Sequence, residues 1–484
     1  MPGEDEAPLL AQRTEQQQQL SYKEPPAWFS PERLLALFCA ISLLVYIDRG
    51  ALSSNGVNGS PRTEESPAGE GIQGDFDLSY FQDGLLPAAF MVGLLIASAA
   101  FAEATKYYNA MRLIGVGLAI WTAAVVACAV APDFYVLITA RSLMGAGEAS
   151  FLALAAPFID DVAPPKTKTL WFATFYMTNT AGYALGYIIG GILGPAMGWR
   201  GVFVFEALLM MPFVGFTLLA QPVDLRSLKT HKEGDPVQTP AASGGPWHLV
   251  YSAMAHFVHL CRFPVFLLNT LGGVMWTANV GALAFWGPKA ARQLFNLGPE
   301  WVDLLFGALT AASSVCGTLA GAAVSDLLGS TLRRSMLVCG VVSLLAFVLF
   351  EVAFLSSTLI SFPSFMALLG TGMLFLFAAS GPSNAVNMWS VPVDLRPQAV
   401  SFCTILGHLL GDVPSPPALG WLQGLIKQWD STMAICSVLL LFSSASYFAG
   451  SSLASPAADH RVMEPNPEHP EEAQQHLHDD ERIA

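Results

Sequence analysis

Charge is what this chain has least of. Asp, Glu, Lys and Arg together make up 12% of its 484 residues, about half of what a water-soluble domain uses to cover its surface. Hydrophobic residues reach 53% and the mean hydropathy is +0.49, so the surface that the shortage leaves uncovered is one that meets lipid. No block of Lys and Arg, no zinc-finger spacing and no basic patch interleaved with aromatics is present, which excludes a nucleic-acid partner. The formal charge of -14 gathers largely in the first few residues and in the tail from Asp459 to Ala484, and therefore names no basic ligand. Seven cysteines occur, each within or at the end of an apolar run and no two with CxxC spacing; a disulfide framework and a metal site are both excluded, leaving small buried side chains. Nor is there a basic n-region before a short apolar stretch, because the N-terminus is acidic and rich in Gln. The first apolar run is not a signal peptide and stays in the membrane. No nucleophile and base stand together as a hydrolase needs, and no cofactor motif appears.

What is present is a series of long apolar segments. About 20 residues cross a bilayer core, and twelve stretches of that order lie near 34–56, 80–101, 112–131, 134–158, 169–193, 200–220, 263–286, 301–325, 335–355, 362–384, 396–418 and 431–450. The expected fold class is an all-α polytopic membrane protein of twelve transmembrane helices in two six-helix halves, 34–220 and 263–453. A polar linker, 221–262, joins the halves, and disordered tails, 1–33 and 454–484, flank them. Six spans plus six, rocking about a midplane site, is an arrangement of secondary transporters.

An even number of spans puts both termini on one side. With them inside, sixteen of the 23 Lys and Arg residues fall on inner segments, while the outer loops hold only Arg62, Arg200, Lys289, Arg292 and Lys427. That skew places both termini in the cytosol. The first outer loop carries Asn58-Gly59-Ser60, a glycosylation acceptor by pattern, close to the membrane and followed by Pro61.

Ionisable residues inside apolar spans are informative, because a charge in hydrocarbon costs several kcal/mol unless it meets water or a partner. Asp48 and Arg49 sit in Tyr46-Ile47-Asp48-Arg49-Gly50. Sequence neighbours do not share a helix face, so each is expected to reach separately into a polar space between helices: Asp48 as a proton or cation site, Arg49 as an anchor for an anionic headgroup through its planar donor fork. The alternative is a structural ion-pair network between helices. In the fourth span, Arg141 and Glu148 stand seven residues apart, on one face and about 10 Å along the axis, so they address different levels of one cavity. A carboxyl in low dielectric is suited to trade protons, which makes Glu148 the coupling candidate. His408 and Asp412, four apart in the eleventh span, share a face where the carboxylate can hold the histidine tautomer or its charged form. Pro414, Pro416 and Pro417 follow at once and break or kink that helix.

Small residues mark close helix contacts. Gly182, Gly186 and Gly190 repeat every four residues, and Gly145 and Gly147 lie beside Ala149 and Ser150; these read as packing positions, with gating as the other reading. Asn179, Asn269, Asn279, Asn384 and Asn387 are either a polar path or interhelical glue. Glu206 and Glu351 have no evident partner, and Trp276 and Trp286 either stack on substrate or anchor an interface.

These residues carry a resemblance to the major facilitator superfamily and, within it, to the spinster-like transporters. It runs over essentially the whole membrane region. The densest stretches are Tyr46 to Ala51, Ser54 to Gly59, Gly71-Ile72-Gln73-Gly74-Asp75-Phe76, Gly145 to Ser150 with Ala156-Pro157, and His408 to Asp412; the Asn-Gly-Val-Asn-Gly and Gly-Ile-Gln-Gly-Asp-Phe wording is similar to the plant and algal branch. The resemblance implies proton-coupled movement of an amphipathic lipid, a lysophospholipid or a sphingoid lipid. It implies Asp48 and Glu148 as the protonation pair, Arg49 as the partner that senses their charge, and His408 in the transport cavity. By the residue reading Asp412, Arg141 and Asn179 join Arg49 and His408 as substrate-binding candidates. One departure stands out: the superfamily's Gly-x-x-x-Asp-Arg-x-Gly-Arg pattern between spans two and three is absent from Ala102 to Asn109, while Gly321 to Asp326 with Arg333-Arg334 keeps the equivalent element better.

Asp5-Glu6-Ala7-Pro8-Leu9-Leu10 looks like an acidic dileucine signal, with Asp5, Leu9 and Leu10 offered to a sorting adaptor, and favours a lysosomal, late endosomal or vacuolar membrane over the plasma membrane. Within transport, the alternative substrate is a small organic anion such as a sugar phosphate.

Overall fold

The computed structural model of the chain describes residues 26–221 and 257–461 apart from positions 27, 65, 106, 165 and 166. The Asp5, Leu9 and Leu10 signal, the centre of the linker and the acidic tail beyond 461 lie outside the described residues. What is described is helical, apart from one isolated bridge between Ser60 and Glu70.

Helix α1 spans Pro31–Ser53, with Pro31 in the first turn and Ser30 accepting a hydrogen bond from the Arg33 amide, the start that a missing N–H and a capping hydroxyl favour. It stops short of the expected residue 56 because Ser54 turns extended and caps a separate short helix, α2 (Asn55–Asn58), by accepting from Val57 N. Another short helix, α3 (Gly71–Asp75), lies in the following loop. Then come α4 (Tyr80–Ala104), opened by a Ser79–Gln82 capping box, α5 (Ala110–Ala129), capped by Asn109, and α6 (Phe134–Val162), capped by Asp133.

Two of the twelve expected stretches meet without a loop, and one is interrupted. The stretch Lys168–Leu219, here α7, is two helices parted by a kink at Gly198, non-helical at φ 74 and ψ 159, and they match the stretches expected at 169–193 and 200–220. That backbone angle suits glycine, which has no Cβ to clash. After α8 (Pro264–Phe295), α9 (Pro299–Leu327), α10 (Leu332–Leu355), α11 (Phe362–Ala378) and α12 (Ser380–Trp389), the stretch expected at 396–418 is broken. It consists of α13 (Arg396–Leu406), a π turn over Gly407–Asp412, and α14 (Ser415–Ile426). Pro414 has no N–H to bond back, and the chain widens: Val413 N donates to His408 O, a step of five residues, at 2.9 Å. Helix α15 (Trp429–Leu453) completes the set. Among the described residues ten helices are long and apolar enough to cross a membrane. Lys289 and Arg292, expected in an outer loop, belong to α8.

Glycine lets backbones approach where the bundle is tightest. A Cβ on Gly186 would stand 2.2 Å from the Ile47 carbonyl oxygen, one on Gly182 would stand 2.6 Å from that of Leu43, and one on Gly190 would stand 2.2 Å from Ser54 Oγ. The α7 stripe thus lies along α1, and Gly50 answers it, 2.1 Å from the Tyr183 carbonyl by the same construction. Gly145 meets the Phe90 carbonyl of α4, and Gly147 that of Gly117 on α5. With no hydrophobic force between helices in lipid, such contacts are a principal source of association. A Gly186→Leu substitution, set against backbone, is expected to abolish monodisperse protein on size-exclusion chromatography in detergent. Gly215→Ala, with nothing within 4 Å, is expected to elute as the unaltered chain does.

Candidate functional site

Asp48 and Arg49 of α1 point about 100° apart around the helix, and α6 presents a complementary charge to each. Arg141 Nη1 donates to both oxygens of Asp48, at 2.8 and 3.0 Å, and Arg49 Nη2 donates to Glu148 Oε1. All four residues are buried or nearly so; the most open side chain, that of Arg49, is 10% exposed. The seven-residue spacing of Arg141 and Glu148 therefore sets two ion pairs, a couple of turns apart on α6, against two successive residues of α1. Phe90 of α4 lies between them: its ring centroid is 4.7 Å from the Arg49 guanidinium and 5.4 Å from that of Arg141. Tyr46 covers Arg49 from another side at 4.5 Å. Planar guanidinium groups on ring faces remain attracted after losing water. Arg49 Nε and Glu148 Oε2 have no hydrogen-bond partner among the described residues, so this pair keeps unused polar capacity.

Beside Tyr46 lies a cavity of about 150 Å³. Its walls come from α1 and α7 on one side (Tyr46, Tyr183, Tyr187) and α8, α9 and α11 on the other (Leu283, Phe306, Phe377). Among its lining residues Asn179, Thr180 and Thr310 supply the non-aromatic polar groups. Asn179 also accepts a 2.6 Å hydrogen bond from Ser42 of α1. His408 Nδ1 and Asp412 Oδ2 are 2.7 Å apart across the π turn, with side chains 32% and 15% exposed.

Several polar residues in the bundle were not predicted. Lys289, one of the expected outer-loop cations, is buried and joins Asp83 of α4 at 2.8 Å and Gln73 of α3 at 2.7 Å. Asp303 of α9, fully buried, accepts from Asn55 Nδ2 at 2.7 Å and from the Gly56 amide at 3.3 Å. With Arg292–Glu70 at 2.8 Å and Tyr187 Oη donating to the Ala284 carbonyl at 2.6 Å, these hydrogen bonds join residues before 221 to helices after 257. They gather toward the end of the bundle that holds α2 and α3, opposite the Lys- and Arg-rich segments. Asn58, the glycosylation pattern's asparagine, is buried and donates to Asp83 Oδ1 at 2.7 Å, so its amide is engaged. Glu351 accepts from Ser437 at 2.7 Å. Trp276 and Trp286 donate to the carbonyls of Leu376 and Pro416, and Asn269 and Asn387 bond each other at 2.7 Å. At the ends of apolar runs, nothing in sequence separates a buried ion from a loop ion; Ser54 to Gly59, which holds Asn55 and Asn58, and Gly71 to Asp75, which holds Gln73, both matched as family wording, are the nearest signals for this end.

Two helix families separated by a cavity and tied at one end form an architecture with known counterparts. A model of the Major Facilitator Superfamily matches residues 66–413. "Probable sphingolipid transporter spinster homolog 2" of Arabidopsis thaliana is 39% identical over 438 residues, 89% of each chain. The chain belongs to the spinster-like transporters of the major facilitator superfamily. It is similar, at 26% identity over 74% of its length and 66% of the relative's, to the sphingosine-1-phosphate transporter SPNS2 of Mus musculus. In fold it resembles the crystal structure of a bacterial homolog to the human lysosomal transporter Spinster in an inward-facing and occupied conformation, with a TM-score of 0.70 at 18% identity, covering 88% of this chain and 98% of that one. This spinster-like protein is thus an all-α integral membrane protein of major facilitator type, a secondary transporter of the alternating-access class and not an enzyme.

Breaking one partner from a buried pair leaves a charge stranded, at about 3–5 kcal/mol. Arg49→Ala is accordingly expected to lower the unfolding free energy of the purified protein in detergent by about that amount, with part of it recovered in the Arg49→Ala/Glu148→Gln double variant. Equal losses with and without Glu148 would show that the two residues do not act together. At the tied end, Lys289→Ala is expected to widen the distance between spin labels placed there on the two helix families.

Proposed function

We propose that this spinster-like chain moves lysophospholipids or sphingoid lipids across a membrane, coupled to protons, through twelve transmembrane helices in two six-helix halves, 34–220 and 263–453. On this reading the two parts of α7 either side of Gly198 are separate crossings. The α13–α14 stretch, which falls short as one continuous helix because of its π turn, is the eleventh. Both termini lie in the cytosol, with 221–262 as a cytosolic linker and 1–33 and 454–484 as tails.

The observation that carries the substrate class is the composition of the cavity. Its aromatic and aliphatic lining, with a few hydroxyl and amide groups, suits an acyl or sphingoid chain and leaves little to solvate a sugar phosphate, the alternative substrate. A headgroup phosphate needs a cation, and in this arrangement Arg49 is the one at the cavity edge, behind Tyr46. Asn179 lines the same cavity, while the His408–Asp412 pair, outside that lining, is proposed to meet the substrate from the π turn; Arg141 is held back by Asp48 and acts on the substrate through that pair. The names of the relatives, transporters of sphingolipids and of sphingosine-1-phosphate, point the same way.

Asp48 and Glu148 are the proposed coupling carboxylates. Each is fully buried against a guanidinium, so protonation of either would release its arginine, and an arginine freed from Glu148 is free for a phosphate. Substrate binding and protonation then favour each other by competing for one cation. The tied end, carrying Lys289, Asp83, Asp303 and Asn55, is the closed outer gate of an inward-facing state. Asp5, Leu9 and Leu10 fit delivery by a sorting adaptor to a lysosomal, late endosomal or vacuolar membrane, whose acidic lumen would drive movement toward the cytosol.

Radiolabelled lysophosphatidylcholine and sphingosine phosphate, offered to proteoliposomes with and without an inward proton gradient, test this reading. Saturable uptake of at least one lipid is expected, accelerated by the gradient, with the acceleration abolished in Glu148→Gln. Uptake indifferent to both would leave facilitated diffusion and a structural Glu148. No uptake of either lipid by folded protein would transfer the proposal to a small organic anion.

A further inference from the structure

The crossed ion pairs do not close the electrostatic account of this region, because a third carboxyl faces it. Glu206 of α7 is 2% exposed, and neither of its side-chain oxygens has a hydrogen-bond donor among the described residues. Its carboxyl faces the Asp48 carboxyl at hydrogen-bonding range and lies within the field of Arg141. The groups presented to it are Asp48 from α1, Arg141 from α6 and the Cys128 thiol of α5. Arg49 and Glu148 form their own pair farther along α1 and α6. Helix α9, which also packs on α7, presents its Asp303 at Gly191, on the other side of the Gly198 break.

Two arguments then agree. The first is charge: two guanidinium groups against three carboxylates, all buried or nearly so, leave one uncompensated negative charge, a state that costs far more than taking up one proton. The second is hydrogen bonding. The Asp48 oxygens already accept from Arg141, and an ionised carboxylate only accepts. Two carboxyl groups can face each other at that range only with a proton between them, as in carboxyl dyads that share one. The arginine-facing member, Asp48, is the one whose negative charge is compensated, so the proton belongs on the other.

We propose that Glu206 is a proton-binding residue of this transporter, holding in the outer-closed conformation the one proton that neutralises the cluster and donating it in a hydrogen bond to Asp48. This rests on reading the cluster as the coupling site, and it changes what Asp48 does there. Asp48 is an ionised anchor for Arg141 while Glu206 keeps the proton, and it can receive that proton when Arg141 moves away. The proton thus has two adjacent resting places, on helices α1 and α7, that a relative movement of α6 would exchange.

Infrared spectroscopy of the purified protein in lipid at neutral pH, unaltered and with glutamate labelled by carbon-13 at the side-chain carboxyl, reads the proton directly. The expected result is a protonated carboxylic-acid carbonyl band that shifts with the labelled glutamate, is lost in Glu206→Gln and persists in Glu148→Gln and Glu351→Gln. A wild-type protein without such a band, a band that ignores the label, or one left unchanged by Glu206→Gln would overturn the proposal. Where Glu206→Gln does not fold, Glu206→Asp keeps the acid but shortens it; the band must then change frequency and cease to follow the glutamate label, and a band unaltered in both respects overturns the proposal equally. The spectrum is taken without lipid substrate. Failure of lipid uptake therefore leaves it readable, and its own failure leaves the lipid reading intact.

Discussion

Two ion pairs without bulk water around them hold the centre of this protein, and their geometry constrains much of what surrounds them. Asp48–Arg141 and Arg49–Glu148 connect one turn of α1 with two turns of α6. In low dielectric such pairs do not stabilise a fold relative to apolar residues of the same size, since removing ions from water roughly offsets their attraction. What they do is specify: α1 cannot slide or rotate against α6 without exposing four charges to hydrocarbon. Phe90 is placed so that both guanidinium groups rest on it, and Gly145, next to this level on α6, admits the α4 backbone that carries that ring. The small residues are thus part of the same constraint as the charges.

A second consequence concerns α7. Its glycine stripe lies along α1 from Leu43 to Ser54, level with the ion-paired residues, and beyond Gly198 the second of its two helices presents Glu206 to Asp48. One break in helical backbone, at a residue that tolerates positive φ, lets a single continuous stretch contribute both a smooth packing surface and a polar group. On the other side of the bundle the π turn serves a related purpose. Pro414 removes a backbone donor, the turn widens, and His408 and Asp412 close on each other within it. Irregular backbone of this sort is tolerated at membrane depth only where protein or a cavity receives it.

Much of this was legible in the sequence, for a physical reason. A charge inside an apolar run is conspicuous because hydrocarbon leaves it so few places to go, so Asp48, Arg49, Arg141, Glu148, His408 and Asp412 stand out without any partner being known. The i, i+4 pairing of His408 with Asp412 is local and could be read directly; the crossing of the other two pairs depends on how α6 is turned toward α1, a tertiary fact. Lys289, Asp83, Asp303 and Asn55 were not legible. They sit near the ends of apolar runs, where the same residue types in a loop would meet water, and their partners are more than 200 residues away, except for Asn58 with Asp83. Glu206 was visible as a lone acid, but its neighbour comes from the first helix. Counting spans by hydropathy found the right apolar residues, and the prolines after Asp412 marked the interruption of the eleventh stretch; that the helices either side of Gly198 meet without a loop was not legible, because a single left-handed glycine does not alter the average hydropathy around it.

The distribution of polar contacts between the two helix families bears on how alternation can work. At the α2–α3 end the families are joined by buried charge-assisted bonds, Lys289 with Asp83 and Asp303 with Asn55, whereas the cavity wall between them is apolar and aromatic. An apolar wall has no direction and can re-form against a lipid chain; a buried lysine cannot leave its carboxylate without another partner or water. Such an end favours being either fully paired or open and hydrated. A ligand shifts such an equilibrium only by its differential affinity for the two states. In the proposed mechanism the central ion pairs are where that difference would arise, since a phosphate taking the place of Glu148 on Arg49 would change whether Glu148 must be charged. On the proposed coupling, the ionic state of α1 and the opening of the far end would be parts of one equilibrium, linked through the close contact of α1 with the glycine face of α7.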